Sequence, residues 1–142
     1  MMGYLLIRVS GDRYGLPIEE VVEVADDAKA EMVPGAQHAV RGIARIRGRM
    51  MPVVHLEALL TGRSPPNECT HTVVVARCGD RRVAFEVDDA DAVVREAPVL
   101  VAPEARVPWI LGVARHHEEF IPILDMDALS ERLTARYGEA VP

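Results

Sequence analysis

The feature of this sequence that most constrains its fold is an internal repeat. Segment 42–59 (GIARIRGRMMPVVHLEAL) aligns without a gap with segment 112–129 (GVARHHEEFIPILDMDAL), at a constant offset of 112 − 42 = 70 positions. Six of the eighteen aligned residues are identical, and half of the others exchange one apolar residue for another. Self-similarity over a long period indicates a duplicated structural unit. The sequence therefore predicts two homologous halves, a first barrel subdomain at residues 1–64 and a second at residues 65–142.

Each copy of the repeat has the pattern of a β hairpin followed by a helix. A short extended run precedes Gly48, which is free to adopt the positive φ of a tight turn. Residues 50–55 are mostly apolar and predict the returning strand, before a short helical stretch that Gly62 ends. In the second copy, Asp125 is placed to cap a longer helix that runs to Tyr137.

The strands that precede the repeat are duplicated as well. Residues 4–9 and 13–18 are two apolar runs joined by a turn that contains Gly-Asp-Arg, and the same tripeptide returns at 79–81 between two further apolar runs. The segment 61–70 (TGRSPPNECT) has the composition of a linker between the two halves.

Proline stands at the same register of both copies, at Pro52 and Pro122, inside a strand that otherwise looks buried. Proline cannot donate a hydrogen bond to a sheet, so it belongs at an edge, at a strand start or at a bulge. Together with several short strands and frequent turns, this predicts a mainly β chain built as two small antiparallel barrels, each with a bent or open corner at the proline.

The composition disfavours several classes of partner. With 142 residues, 49% hydrophobic and 27% charged, the chain is expected to form one ordinary domain or two very small units that share a core. A net charge of −6 disfavours nucleic acid and anionic membrane surfaces, and no apolar run has the length of a membrane helix. Cys69 and Cys78 fit neither a disulfide framework nor a metal site, so the predicted location is a reducing cytoplasm.

The sequence holds no catalytic motif, and we predict neither enzymatic activity nor a bound cofactor or metal. The run 116–119 (HHEE), at the turn of the second hairpin, is the richest in metal-binding side chains. Adjacent residues on a strand point to opposite faces, so its two histidines are not expected to share one metal. The acidic pairs 26–27 and 88–89 have no orienting base nearby and predict solvated loops. A double barrel that binds a small ligand or a metal in the groove between its barrels remains the alternative.

The first hairpin also predicts a cationic surface. Arg45, Arg47 and Arg49 alternate along its tip and are expected to project to one side, near the apolar and exposed-looking Val21 and Val40. Arginine is over-represented in protein interfaces, but a solubilising turn would carry the same residues. The pattern alone leaves both interpretations open.

The string GIARIRGRMMPVVHL, preceded by YGLPIEEVVEV and followed by a second half that begins HTVVVARCGDRRVAFEVDD, resembles the CheW family of bacterial chemotaxis coupling proteins. The resemblance runs from about Tyr4 to Leu133 and depends on the Gly-x-x-x-x-Arg-Gly hairpin, the Pro-Val-Val after it and the duplicated order of the halves. It implies two SH3-like five-stranded barrels with a groove between them, together with short helices and a C-terminal helix.

The same resemblance implies a non-enzymatic adaptor at the inner face of the membrane. Such an adaptor bridges the cytoplasmic tip of methyl-accepting chemoreceptors to the regulatory domain of the histidine kinase CheA, with the kinase contact mainly at the apolar end of the first barrel. The candidate receptor-binding residues, with Arg45 added from the cationic surface, are Val21, Glu23, Gly42, Arg45 and Arg47. The residues assigned to turns and architecture are Gly48, Pro52, Gly112 and Pro122.

Three features depart from the pattern of this family. Arg45 stands where asparagine is common, His55 stands where aspartate usually follows Pro-Val-Val, and the hairpin tip at 116–119 is unusually charged. They leave open which receptor and kinase are the partners, whether the output is flagellar, pilus-based or another, and whether the chain assembles into rings.

Overall fold

A computed structural model describes residues 2–100 and 107–137. The chain is mainly β, with a single 3₁₀ turn at Ile18–Glu20 and two α helices in the described part. The elements are, in chain order, β1 (Met2–Val9), β2 (Asp12–Pro17), β3 (Val21–Ala25), β4 (Val40–Ile46), β5 (Arg49–His55), α1 (Leu56–Thr61), β6 (Val73–Cys78), β7 (Arg81–Glu86), β8 (Asp89–Ala97), β9 (Val99–Leu100), β10 (Ile110–His116), β11 (Glu119–Leu124) and α2 (Met126–Tyr137).

The strands form two sheets of equivalent design, which confirms the predicted pair of small barrels. Sheet 1 has the order β8-β1-β2-β11-β10-β9, and sheet 2 has the order β3-β6-β7-β5-β4. Each sheet has five corresponding strands, and sheet 1 adds the two-residue β9. Most neighbours are antiparallel as predicted, but β5 with β7 and β11 with β2 are parallel.

The two halves of the sequence exchange hairpins. The β1–β2 hairpin of the first half lies between strands of the second half, and the β6–β7 hairpin of the second half lies between strands of the first. The division into residues 1–64 and 65–142 therefore marks the sequence repeat and does not separate the two sheets. Each sheet is completed only by a hairpin from the other half of the chain.

Both predicted hairpins of the repeat are present, and each turns over two residues. Arg47 and Gly48 have φ of 50° and 79°, and the equivalent His117 and Glu118 have φ of 48° and 66°. Two consecutive residues in the left-handed region give the backbone twist that a two-residue hairpin requires. The first turn uses glycine for one of these positions, whereas the second turn uses none.

The two prolines explain where the parallel pairing begins. β5 pairs with β7 from Val53 onward, and β11 pairs with β2 at Ile123, in each case at the residue after the proline. Proline has no N–H group to donate, so the parallel ladder does not include Pro52 or Pro122, whereas the antiparallel pairing within each hairpin continues through them. The parallel pairing thus begins only beyond each proline, at the register where the sequence predicts a bent or open corner.

Three apolar clusters hold the fold together. The largest lies between the sheets and includes Phe85, Leu56 and Leu129, so both α helices contribute to it. A second cluster fills sheet 2 with small side chains such as Ala44, and a third fills sheet 1 around Tyr4. The common core explains how two units this small are stable together.

Candidate functional site

Two of the candidate receptor-binding residues form an ion pair that links the two edges of sheet 2. Glu23 lies on β3 and Arg47 lies in the β4–β5 turn, and the Arg47 Nε donates to the Glu23 Oε2 at 2.6 Å. Strands β3 and β4 are at opposite edges of the sheet, so this contact requires the sheet to curl until its edges meet. The ion pair thereby links the turn to β3.

The ion pair presents Arg47 to solvent. The Arg47 side chain is 80% exposed, whereas that of Glu23 is only 21% exposed. The Glu23 carboxylate, which accepts the hydrogen bond, raises the pKa of the Arg47 guanidinium. Arg47 uses its Nε for this bond. The two terminal nitrogens of the guanidinium are further donors for hydrogen bonds to a carboxylate.

Val21 and Gly42 are less accessible than Arg47. Val21 is half-buried and packs on the core between the sheets. Gly42 is buried beneath Glu31, whose backbone exchanges two hydrogen bonds of 2.9 Å with Ile43. A Cβ on Gly42 would lie 2.0 Å from the Glu31 carbonyl oxygen, so only glycine fits. Gly42 therefore shapes the surface from below, through the loop that crosses it.

The equivalent glycine of the second half has the same architectural role. Gly112 is buried beneath Val99 and Leu100, and a Cβ there would lie 2.7 Å from the Leu100 carbonyl oxygen. Both glycines follow a shift in the pairing register of their hairpin. At both positions two backbone segments cross closely, and this explains why each position is occupied by glycine.

The prediction that three arginines project to one side of the first hairpin is wrong. Arg45 pairs with Met50, whereas Arg49 pairs with the buried Ile46, and residues directly opposite each other lie on the same face. Alternation holds along one strand, but the two-residue turn reverses the chain and places Arg45 and Arg49 on different faces. Arg45 is exposed beside Met50, and Arg47 lies in the turn itself.

The expectation that Val40 is exposed is also wrong. Only 8% of Val40 is accessible, because it begins β4 and packs into the core between the sheets. The exposed apolar side chain next to the turn is instead Met50, which is 60% exposed, whereas the 85% exposed Met32 lies in the segment that crosses Gly42.

The side chains of the two histidines of the second hairpin lie together, although they were expected to point to opposite faces of a strand. Their ring centroids are 4.2 Å apart, with the planes at 64°. His117 belongs to the turn and not to the strand, so the alternation of strand side chains does not apply to it. Within residues 2–100 and 107–137, no group of three or more His, Cys, Asp or Glu side chains is arranged to hold a metal ion.

A buried ion pair that the sequence analysis missed anchors the segment between the halves. Arg41 donates to both carboxylate oxygens of Glu86, at 2.9 and 3.2 Å, and also to the carbonyl oxygens of Pro66 and Glu68. Only 3% of the Glu86 side chain is exposed. A signal was available, because Glu86 follows the buried run at 83–85 and buried carboxylates need a partner.

Cys78 is a buried packing residue. Its thiol donates to the Met126 carbonyl oxygen at 3.5 Å, and burial raises its pKa to about 11. The thiolate is the reactive form of cysteine, so this residue is protonated and inert at neutral pH. The arginines at 77, 81 and 82 do not activate it.

Neither helix in the described part of the chain combines the length and the apolar character needed to cross a membrane. α2, the longer of the two, has twelve residues.

Residues 3–134 match a family model described as the CheW-like domain. The chain is 30% identical over 125 residues to Chemotaxis protein CheW of Thermotoga maritima, which covers 85% of this chain and 80% of that protein. It is 25% identical over 146 residues to Chemotaxis protein CheW of Bacillus subtilis, covering 97% and 91%. It is 27% identical over 122 residues to Protein PilI of Pseudomonas aeruginosa, covering 80% and 67%.

The fold has a counterpart among solved structures. The crystal structure of the scaffolding protein TtCheW from Thermoanaerobacter tengcongensis superposes with a TM-score of 0.79 and covers 90% of this chain and 91% of that one. The two sequences are 20% identical, so the likeness concerns the fold alone. It supports the double SH3-like barrel that the sequence resemblance implies.

Proposed function

Because this chain belongs to the CheW-like domain family, we propose that it is a non-catalytic adaptor of bacterial chemosensory signalling, which couples methyl-accepting chemoreceptors to the histidine kinase CheA. The family match spans nearly the whole chain and includes both halves of the repeat. In this proposal the protein acts in the cytoplasm, at receptor arrays on the inner face of the membrane. Its activity consists of binding two partners at once.

The observation that carries the receptor contact is the ion pair between Glu23 and Arg47. It holds an arginine at the surface, where 80% of the Arg47 side chain is exposed while its Nε donates to the chain's own carboxylate. Arginine anchors and adjacent apolar side chains account for much of the binding energy of protein interfaces. Arg45 and Met50 lie exposed on the same face of the hairpin, next to this turn, and supply a second cation and an apolar contact.

The remaining candidate residues act by shaping this surface. Val21 begins the strand that carries Glu23, and Gly42 permits the Glu31 segment to cross β4 closely. A substitution at either position is expected to disturb receptor binding by displacing β3 or the hairpin. Arg47 is the residue for which we propose direct contact.

We expect the Arg47→Glu variant to bind the cytoplasmic hairpin of a chemoreceptor from the same genome at least about tenfold more weakly, while its binding to the CheA regulatory domain is unchanged. The substitution removes a guanidinium from the proposed interface and places a carboxylate beside Glu23. Calorimetry or surface plasmon resonance with each purified partner measures receptor binding and kinase binding separately. Arg63→Glu is the matched control, since it makes the same charge change at an exposed position outside the proposed site.

A charge-swapped variant separates direct contact from positioning. Glu23→Arg combined with Arg47→Glu can restore the intramolecular ion pair while reversing the charge presented to the receptor. Direct contact predicts that receptor binding stays weak in this variant, whereas recovery would show that the pair only fixes the turn. Wild-type protein that binds neither the receptor hairpin nor the kinase domain would contradict the adaptor function as a whole.

A further inference from the structure

Three arginines lie together at one end of sheet 2. Arg77 on β6 is directly opposite Arg82 on β7, and Arg49 begins β5, the strand on the other side of β7. Residues directly opposite each other in an antiparallel pair project to the same face, with their Cβ atoms about 5 Å apart. All three residues line one surface hollow of about 450 Å³. We call these three residues the arginine cluster.

The arginine cluster belongs to the inner face of sheet 2. The opposed arginines are two residues along their strands from Val75 and Ala84, and Arg49 lies opposite Ile46. Because side chains alternate along a strand, residues that are two apart share a face. Val75, Ala84 and Ile46 all belong to the apolar cluster within sheet 2. The three arginines therefore project from the face that encloses this apolar cluster, at its open end.

No ion pair neutralises the arginine cluster among residues 2–100 and 107–137. The side chains of Arg49 and Arg82 form no hydrogen bond with any described residue, and Arg77 donates to the backbone carbonyl oxygen of Glu19 at 2.9 Å. Asp80 also lines the hollow and pairs with none of the three. Like charges directly opposite each other destabilise a sheet, so this arrangement favours an anion from another molecule.

Sheet 1 has an equivalent pair of opposed arginines whose charges are neutralised. Arg8 and Arg13 are opposed in the β1–β2 hairpin, which takes in sheet 1 the place that the β6–β7 hairpin takes in sheet 2. Arg8 pairs with Asp89 at 3.1 Å, and Arg13 pairs with Glu119 at 3.5 Å. The repeat relates Glu119 to Arg49. In sheet 2 a third positive charge thus occupies the position of the neutralising carboxylate.

The arginine cluster suits a phosphate group better than a carboxylate. A guanidinium presents its N–H donors as a planar fork and binds a carboxylate or a phosphate through two parallel hydrogen bonds. One guanidinium therefore occupies both oxygens of a carboxylate. A phosphate monoester has three strong acceptor oxygens and carries about −1.5 to −2 charges at pH 7. Three guanidiniums that project from one face match this number of acceptors and this charge.

The hollow has room for more than the phosphate group. Its volume of about 450 Å³ lies within the range of small-molecule sites, about 300–1,000 Å³. Met50 and Pro52 also line it, and 60% of Met50 is exposed. The flexible methionine side chain adapts to irregular apolar groups. This apolar lining beside the arginines fits the organic part of a phosphate ester.

We propose that the arginine cluster binds a phosphate group, carried by a small organic molecule or free in solution. Arg49 and Arg82 supply guanidiniums that have no other partner among the described residues, and Arg77 supplies its remaining donors. The bound phosphate relieves the repulsion between the opposed arginines, so its binding stabilises the fold. This site does not depend on the proposed adaptor function.

Thermal unfolding of the full chain with and without phosphate tests this inference. Chloride keeps the ionic strength at about 0.15 M, since screening alone changes the repulsion. We expect about 20 mM inorganic phosphate to raise the melting temperature of the wild type at least about 2 °C more than that of Arg82→Gln. The variant is needed because phosphate strengthens apolar burial in any protein. Arg63→Gln changes an exposed position outside the hollow and is expected to respond as the wild type does.

The variant Arg49→Glu rebuilds in sheet 2 the charge arrangement of sheet 1. The introduced carboxylate takes the position at which Glu119 pairs with Arg13. We therefore expect this variant to melt above the wild type without phosphate and to lose the phosphate response. A variant that melts below the wild type and keeps the full response would contradict the proposal.

Calorimetric titration with inorganic phosphate, glucose 6-phosphate and succinate identifies the chemistry of the ligand. We expect one phosphate site per chain, with at least about tenfold weaker binding in Arg82→Gln. Tighter binding of the ester than of phosphate supports the site with an organic group in the rest of the hollow, and equal binding supports it with free phosphate as the ligand. Succinate that binds as tightly as phosphate, or equal phosphate binding by the wild type and Arg82→Gln, would overturn the inference.

Discussion

His55 and Asp125 occupy equivalent positions in the two halves, and both cap the helix that follows. Asp125 Oδ1 accepts from the backbone N–H groups of Asp127 and Ala128. His55 Nδ1 accepts from the N–H of Ala58 at 3.2 Å. The histidine that departs from the family pattern therefore retains the function of an N-cap, but only while its Nδ1 carries no proton.

Because of this cap, we expect the free energy of unfolding to depend on pH. Burial lowers the pKa of His55 below its usual value, and the nearby Glu86 opposes that effect. His55 therefore binds a proton more readily in the unfolded chain than in the folded one. The stabilisation that neutral His55 gives to the fold is complete above the unfolded pKa of about 6.5 and is lost as the pH falls through the lower folded pKa. Urea unfolding at about pH 7.5 and pH 5.5 measures the loss.

The variant His55→Asn isolates this contribution from the other histidines. An asparagine oxygen caps a helix and does not titrate, so we expect the difference in unfolding free energy between the two pH values to be smaller in the variant, by about 1 kcal/mol, the value of one cap. An identical pH dependence in both proteins would show that protonation of His55 leaves the cap intact.

At the scale of elements, the Glu31 segment crosses β4 closely at Gly42, so we expect substitutions at Gly42 and at Gly48 to differ in their effect on stability. Gly42 and Gly48 both have positive φ, at 148° and 79°. A methyl group added at Gly42 would collide with the Glu31 backbone, whereas one added at Gly48 would face open space. Gly48→Ala is therefore expected to cost only the left-handed backbone penalty of about 1–2 kcal/mol.

Gly42→Ala combines that penalty with a collision that the backbone must relieve, so we expect a loss of about 3 kcal/mol or more in the free energy of unfolding. Chemical denaturation of both variants measures the difference. Equal losses at the two positions would mean that the Glu31 segment moves aside without resistance, and that the candidate surface does not depend on Gly42.

The elements were predictable from sequence where the signal is local. Gly48 marks the first turn, Asp125 caps α2, and the register of Pro52 and Pro122 marks the points beyond which parallel pairing begins. The face of each arginine was not predictable from alternation, because Arg45 and Arg49 lie on opposite sides of a turn whose length sets their pairing. Contacts between distant segments, such as Arg41 with Glu86, have no local pattern beyond a charge in a buried strand.

At the scale of the whole molecule, the repeat was visible but the exchange of hairpins was not. Alignment at a fixed offset shows that the halves are alike, and it is equally compatible with each half folding on itself or exchanging its hairpin with the other. The sheet order settles this in favour of exchange. The exchange depends on the pairing of β2 with β11 and of β7 with β5. These strands are distant in the sequence, and the repeat does not indicate that they pair.

The exchange predicts that neither half folds alone. A fragment of residues 1–64 lacks the central hairpin of sheet 2, and a fragment of residues 65–142 lacks that of sheet 1. We expect each purified fragment to unfold without a cooperative transition, and an equimolar mixture to regain the circular dichroism and the cooperative melting of the intact chain. A single fragment that melts cooperatively would contradict this prediction.

The same exchange sets an order of completion during synthesis on the ribosome. The strands of sheet 2 are all present once Glu86 has emerged, whereas sheet 1 waits for Leu124, which is 124 − 86 = 38 residues later. At about 5–20 residues per second, this interval lasts roughly 2–8 s. The first hairpin to be made is thus among the last to be enclosed, and for those seconds the nascent chain exposes the edge of β2 that β11 later covers.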